Sequence, residues 1–185
     1  MAHYTGYLEV PHATFQEWRD ATIGNGYNVD YYWGEQCWDY VALLYWQYGL
    51  TLVTKAGGGG AQDCWLVSRQ QNSQPPFESL TGKQNIKRGD ILVWGNMSVG
   101  HIAFADEDFN PNDPNNIMSL GQNQAGNGSG WPVNVVKHTL NGFLGIFRNT
   151  EWTSSPTPPP TPTETVRKKK FPFPVAWTHW PNFKH

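Results

Sequence analysis

The spacing of apolar residues divides the chain into a helical first part and a strand-rich second part. Between Trp38 and Trp46 apolar residues recur at steps of three and four, which predicts one face of a helix that Gly49 ends. Thr14, with a glutamate three positions later, has the pattern of a capping box and predicts a shorter helix before it. A third helix is predicted over residues 61–69.

Short apolar segments separated by polar turns follow the two prolines Pro75 and Pro76. Segments at this spacing predict an antiparallel meander. Helices that precede strands indicate an α+β fold, with N-terminal helices packed on an antiparallel β-sheet. The predicted strands are residues 91–94, 101–105, 117–122, 133–138 and 143–148.

Both ends of the chain have a different character from the middle. Residues 1–13 are predicted to form an arm, and the Pro/Thr-rich residues 150–166 a semi-rigid linker. Residues 167–185 combine a basic run with aromatic residues and prolines, and they are too few to form a core alone. We therefore expect a non-globular C-terminal tail whose aromatic residues are buried against a partner, as in an anchoring segment.

Composition narrows the class of protein. Charged residues make up only 15% of the chain and hydrophobic residues 38%, with ten tryptophans, which suits an aromatic-rich fold. No apolar stretch reaches the ~18 residues of a transmembrane helix, and the N-terminus lacks the features of a secretory signal. Two cysteines are too few for a disulfide framework, so we expect synthesis in a reducing cytoplasm with both thiols free.

The charge is distributed unevenly. The net charge is −2, yet the residues from 149 onward contain five basic and two acidic side chains, which leaves −5 for the first 148. An acidic domain binds nucleic acid poorly, so no nucleic-acid or membrane partner is predicted.

Cys37 is the candidate nucleophile, since it lies at the predicted start of a helix just after Gly34. Free backbone N–H groups and the helix dipole there favour the thiolate. Cysteine catalysis also needs a histidine base and a group that orients the imidazole. His101 begins one predicted strand and Asn123 ends the next, so antiparallel pairing would bring both near the sulfur. The side chain of Gln36, or the Cys37 N–H, could stabilise an oxyanion.

The residues alone leave other interpretations open. Cys37 is equally well explained as a buried helix residue, and a single histidine at a strand start is more often structural than catalytic. Cys64 is expected in the core and His138 on the surface. Trp33, Trp38 and Trp94 could line a substrate groove, although packing is the commoner role of aromatic residues.

Four segments together resemble the CHAP family, the cysteine, histidine-dependent amidohydrolases/peptidases. They are Tyr-Trp-Gly-Glu-Gln-Cys-Trp-Asp-Tyr-Val, Arg-Gly-Asp-Ile-Leu-Val-Trp, Gly-His-Ile-Ala-Phe-Ala and Leu-Gly-Gln-Asn-Gln, in that order. The resemblance runs from about residue 14 to 148 and is greatest to phage lysins that act on Gram-positive walls. It implies a papain-like α+β fold and a catalytic domain over residues 14–149.

The resemblance also implies chemistry for particular residues. It assigns the nucleophile to Cys37, the base to His101 and the orienting amide to Asn123. Many of these lysins carry a glutamate two residues before the asparagine, where this chain has Gly121. The resemblance therefore predicts that histidine orientation depends on Asn123 alone.

A calcium site is the second candidate constellation. Asn28, Asp30 and the carbonyl of Tyr32 offer oxygen atoms at alternate positions, and Asp39 follows on the helix. Oxygen donors in this pattern suit a hard cation, and the resemblance implies Ca²⁺ at these four residues. An asparagine in place of the first aspartate would weaken binding. The alternative is an Asx-rich loop in which Asp39 caps the helix.

The leading functional hypothesis is a peptidoglycan hydrolase, either an endopeptidase or an N-acetylmuramoyl-L-alanine amidase. It would act at the bacterial cell wall as a phage lysin, released at lysis or held on a phage tail or baseplate protein through residues 167–185. The alternatives are a non-enzymatic phage tail or baseplate protein that retains the CHAP fold, and a cytosolic cysteine peptidase on protein substrates.

Overall fold

The computed structural model describes residues 12–56, 58–96, 98–124 and 132–152. Most of the predicted arm, and the predicted linker and tail from residue 153 onward, lie outside the described residues. The helices come first, as predicted: α1 Phe15–Thr22, α2 Cys37–Gln47 and α3 Asp63–Leu66. Six strands follow: β1 Phe77–Leu80, β2 Ile91–Trp94, β3 His101–Ala105, β4 Asn116–Gly121, β5 Asn134–Thr139 and β6 Phe143–Asn149. The predicted α+β class is confirmed.

All six strands form one antiparallel sheet in the order β1-β6-β2-β3-β4-β5. β1 is an edge strand that the sequence pattern did not reveal. β3 lies near the middle of the sheet, and all five of its residues are buried. Its first residue, His101, lies opposite Trp94 of β2.

The helix α2 is buried on all sides rather than along one stripe. Every residue from Asp39 to Tyr45 is buried, as expected of a helix with apolar residues around its circumference. Tyr40 stacks between Trp18 of α1 and Tyr27 at centroid distances of 5.5 and 6.0 Å, and it meets Phe104 of β3 edge-on at 5.1 Å. This aromatic packing fixes the start of α2 relative to β3.

The predicted capping box of α1 is present. Thr14 Oγ1 accepts a hydrogen bond from the N–H of Glu17, and the Glu17 carboxylate accepts one from the N–H of Thr14.

At the other end of the domain, the ring of Trp152 lies 5.6 Å from that of Phe15, and its Nε1 donates to the carbonyl of His12. The packed unit therefore includes residues on both sides of the predicted 14–149 boundaries.

The prediction of a helix over residues 61–69 was wrong in extent, since α3 ends at Leu66. The chain leaves the helix because side chains beyond it bond to a different segment. Ser68 Oγ donates to the carbonyl of Thr54, and Asn72 exchanges two hydrogen bonds with the main chain of Val53.

None of the helices in the described part of the chain has the length and apolar composition needed to cross a bilayer.

Candidate active site

Cys37 is the first residue of α2, as the sequence predicts. The helix start is held by Asp39, whose Oδ2 accepts the N–H of Gln36 at 2.9 Å. The Cys37 sulfur lies within hydrogen-bonding reach of the main-chain amide of Ile102. Since Ile102 directly follows His101, the structure brings the thiol to the start of β3. The residue as a whole is partly exposed, while its sulfur is enclosed by the residues around it.

Burial raises the pKa of the Cys37 thiol to about 11. The amides of Ile102 and Trp38 act in the opposite direction, but their effect is smaller than that of desolvation. The expectation that this thiol loses its proton more easily than usual was therefore wrong in direction, although the amides at the helix start do favour the thiolate. The sulfur at this helix start is largely out of water. The free-energy cost of desolvating the negative thiolate therefore exceeds the stabilisation that the helix dipole provides.

His101 is buried, with only 5% of its surface exposed. Its ring lies 5.8 Å from that of Trp94 and 5.1 Å from that of His138. Burial, followed by the proximity of His138, lowers the pKa of His101 to about 4, although a hydrogen bond with Gln124 opposes the shift. The imidazole is therefore neutral at physiological pH and able to accept a proton.

His138 was expected on the surface, and this was wrong. It is half-buried and packs against both Trp94 and His101. His138 lies in β5 opposite Ile117 of β4. Its ring therefore faces the hydrophobic cluster that contains Trp94, Ala103 and Ile117. A strand at the edge of a sheet can bury one face, which alternation alone did not reveal.

The two candidate reacting groups are thus both uncharged. A neutral thiol and a neutral imidazole differ from a preformed ion pair, because the nucleophile must be created as the base takes its proton. This arrangement is suited to acyl transfer in which proton removal accompanies attack.

Asn123 bonds to Gln36 rather than to His101. Its Nδ2 donates to Gln36 Oε1 at 3.0 Å. Continuing the β3–β4 register would place Asn123 opposite His101, but Asn123 has a φ of 54°. That left-handed backbone, which asparagine adopts more readily than most residues, turns the chain and points the amide toward the helix start. The orienting role assigned to Asn123 stays a prediction.

The residue against the imidazole is instead Gln124, whose Oε1 lies 3.5 Å from His101 Nε2. Sequence reasoning missed Gln124, and it also missed the fully buried Gln122. Oε1 of Gln122 accepts the N–H of Tyr27 at 2.7 Å, and its Nε2 donates to the carbonyls of Tyr27 and Gln36 at 2.6 and 2.9 Å. Three amides within Leu-Gly-Gln-Asn-Gln were a visible sign of such a network.

The predicted calcium ligands gather at the loop before α2. Asp39 Oδ1 accepts the N–H of Val29 at 2.8 Å, and Asp30 Oδ1 accepts the N–H of Tyr32 at 2.8 Å. Oδ1 of Asn28 is buried without a hydrogen-bond partner among the described residues. Burial, and to a lesser extent the charge of Asp30, raises the pKa of Asp39 to about 6. The loop thus concentrates oxygen acceptors that have no ion pair with a cationic side chain among the residues that the structure describes.

Three aromatic residues of this loop are strongly exposed: Tyr31, Tyr32 and Trp33, at 74%, 69% and 86%. Tyr31 and Trp33 have φ values of 62° and 60°, an uncommon conformation for bulky residues. Gln36 Nε2 donates to the carbonyl of Trp33 at 2.7 Å and so ties this loop to the nucleophile. By contrast, Trp94 is buried in the core.

Comparison with known proteins identifies a family, a phage protein of similar sequence and a solved structure of similar fold. Residues 26–123, more than half of the chain, match the CHAP domain family. The D-alanyl-L-alanine endopeptidase of Streptococcus phage B30 is 30% identical over 130 residues, which are 68% of this chain and 27% of that protein. This chain therefore spans about a quarter of the length of that relative. The crystal structure of a wild-type endolysin, LysIME-EF1, matches with a TM-score of 0.58 and 23% identity, over 77% of this chain and 67% of the other.

The raised pKa of Cys37 predicts slow alkylation of this thiol near neutral pH. We expect the rate with iodoacetamide to rise about tenfold per pH unit between pH 6 and 9, because the thiolate fraction grows in that proportion below the pKa. The rate is measured by mass spectrometry, with a Cys37→Ser variant to exclude labelling of the buried Cys64. A rate that levels off below pH 8 would contradict this assignment.

Proposed function

Because the chain belongs to the CHAP domain family, we propose that it is a peptidoglycan hydrolase that uses Cys37 to cleave an amide bond of Gram-positive cell walls. The observation that carries the proposal is the position of the Cys37 sulfur at the amide of Ile102, one residue from the buried and neutral His101. The name of the curated phage relative, an endopeptidase, supports the same reaction type.

The proposed reaction begins when His101 takes the proton of Cys37 as the sulfur attacks the carbonyl carbon of the scissile amide. The C–S bond forms, and the carbonyl oxygen becomes an oxyanion. The Cys37 N–H and the second N–H of the Gln36 side chain, whose first is bonded to Trp33, are the proposed donors to it. The C–N bond then breaks, and His101 returns the proton to the departing amine.

Water completes the cycle. His101 takes a proton from a water molecule, the resulting hydroxide adds to the thioester, and the C–S bond breaks. The fragment leaves as a carboxylic acid, and the proton returns to the sulfur. The lowered pKa of His101 keeps the imidazole unprotonated down to acidic pH, and it also makes the ring a weak base, so proton transfer from Cys37 has to accompany the attack of the sulfur.

The bond that we propose is the D-alanyl–L-alanine linkage at a cross-bridge, because the curated relative is named for its hydrolysis. The N-acetylmuramoyl–L-alanine amide is the competing bond. Trp33, exposed and tied through Gln36 to the nucleophile, is the aromatic residue that we propose to contact the wall polymer beside the reacting centre.

The Cys37→Ala variant should lose clearing of Gram-positive walls in a zymogram by a factor on the order of 10³ or more, because the nucleophile is gone. Cys64→Ala is the matched control and should keep activity, since Cys64 is fully buried in the core. Mass spectrometry of the parent digest should show new alanine amino termini and no free muramyl lactyl groups.

Equal clearing by parent and Cys37→Ala would remove Cys37 from the mechanism. An absence of clearing by the folded parent on several Gram-positive walls would favour the non-enzymatic alternative. Free lactyl groups in the digest would identify an amidase.

We also propose that Asn28, Asp30, the carbonyl of Tyr32 and Asp39 bind Ca²⁺. The unpartnered Oδ1 of Asn28 and the mutual repulsion of two carboxylates support this fit. Within the described residues no group of three or more His, Cys, Asp or Glu side chains could hold a metal, so amide and carbonyl oxygens must contribute. A bound cation would neutralise the loop and hold the start of α2.

Calcium at ~100 times its dissociation constant should stabilise the chelator-treated protein by about 2.7 kcal/mol, because it binds the folded state alone. Thermal unfolding with and without CaCl₂ measures this. Asp30→Asn should reduce the gain, whereas Asp20→Asn, on the exposed side of α1, should keep it. Identical melting temperatures in CaCl₂ and in EDTA would argue against the site.

For residues 167–185 we propose a role in attaching the enzyme to a phage tail or baseplate protein. The support comes from sequence alone: a basic run, followed by a proline-interrupted aromatic segment that is too short to form a core alone. Cell-wall entry from the virion would then be the setting of the reaction.

Deleting residues 156–185 should remove the protein from purified phage particles, as judged by immunoblotting, while wall clearing by the truncated protein persists. Retained clearing serves as the control for an intact domain. If the truncated protein remains on particles in parental amount, the anchoring proposal is wrong.

A further inference from the structure

Gln124 is a buried amide whose every polar atom is engaged. Only 7% of its surface is exposed. Its Nε2 donates to the carbonyls of Ser119 and Asn134 at 3.0 and 2.6 Å, with Asn134 Oδ1 at 3.2 Å. Its Oε1 faces the Ser119 hydroxyl at 3.1 Å and His101 Nε2 at 3.5 Å.

This network fixes which end of the amide faces the histidine. Main-chain carbonyls can only accept hydrogen bonds, so the two that surround one end of Gln124 require the NH₂ group there. The oxygen must then point toward His101. Because an amide oxygen cannot donate, the hydrogen in this contact has to be on His101 Nε2.

We propose that Gln124 is the positioning residue for His101, holding its imidazole as the Nε2–H tautomer so that Nδ1 is the atom that accepts the Cys37 proton. The proposal rests on the proposed function for its kinetic consequences, but not for the tautomer itself. It assigns the orienting role to a residue that the family resemblance does not supply.

The glycine at position 121 explains how Gln124 reaches this place. A Cβ atom at Gly121 would lie 2.8 Å from Gln124 Oε1 and 2.8 Å from the Cβ of Ala103. The space where a side chain at 121 would begin is thus filled by the Gln124 amide. The left-handed backbone of Asn123 turns the chain back over the end of β4, so that the next residue can fill it. Glycine in place of a glutamate at position 121 therefore leaves the room that the Gln124 side chain occupies.

A neutral acceptor also agrees with the charge state of the ring. Among the described residues, the titratable side chain that faces the His101 ring is His138 on β5, and a histidine supplies no negative charge. A carboxylate in the place of Gln124 would stabilise the imidazolium, whereas an amide orients the ring without doing so.

The tautomer is tested directly by long-range ¹H–¹⁵N NMR of the histidine rings in the full chain, with His101→Gln to assign the signals. We expect the parent to show the Nε2–H pattern for His101, and Gln124→Leu to show a mixture of tautomers. A parent ring protonated on Nδ1 would overturn the proposal. This measurement needs no substrate, so it stands even if the chain cleaves no cell wall.

Kinetics distinguish positioning from a purely structural role. Gln124→Leu should lower kcat about 10- to 100-fold with KM unchanged, as for other residues that orient a reacting group. Gln124→Glu should move the acid limb of the kcat/KM profile to higher pH, because the carboxylate raises the pKa of His101, although it leaves the carbonyls of Ser119 and Asn134 without their donor and so should not restore full kcat.

Thermal unfolding of both variants provides the control for packing. If both lose activity in proportion to their loss of stability, with an unmoved acid limb, Gln124 is structural and the proposal is wrong.

Discussion

The site depends on the hydrogen bonds of one buried side chain, Gln122, just after the end of β4. Gln122 forms reciprocal bonds with the main chain of Tyr27, and its Nε2 also reaches the carbonyl of Gln36. One side chain thereby joins the sheet, the oxygen-rich loop and the residue before the nucleophile. Because a buried polar group left unpaired costs about 1–3 kcal/mol, these three segments cannot separate independently. The position of Cys37 against β3 follows from these hydrogen bonds and from the aromatic packing of Tyr40.

Neutral amides, rather than charges, organise the groups around the reacting pair. Gln122 holds the loop, Asn123 holds Gln36, and Gln124 holds His101. In a buried site an amide can orient a neighbour without the desolvation penalty of a carboxylate. The same burial keeps both thiol and imidazole neutral, so the charge that the reaction requires is created only during proton transfer. A chain with 15% charged residues and an amide-rich surface is consistent with this chemistry.

Local sequence was sufficient for the elements that carry the candidate residues. Apolar steps of three and four located α2, and the alternating segments located five of the six strands. Thr14 and Glu17 gave the start of α1 because a capping box involves only neighbours in the chain. The extent of α3 was not predictable in this way, since Ser68 and Asn72 bond to residues 14 and 19 positions earlier. Such contacts leave no periodic trace in the sequence.

The sequence by itself determined the class of fold, the family and the identity of Cys37 and His101 as the residues to examine, because these follow from local periodicity and from motifs. Tertiary structure alone decided their protonation. The helix start favours a thiolate, but burial against β3 reverses the direction of the pKa shift. It also decided which amide meets the imidazole. Because Asn123 has a left-handed backbone and Gly121 has no side chain, Gln124 takes the place of the expected partner. Desolvation and side-chain direction are properties of the packed molecule, and no local pattern encodes them.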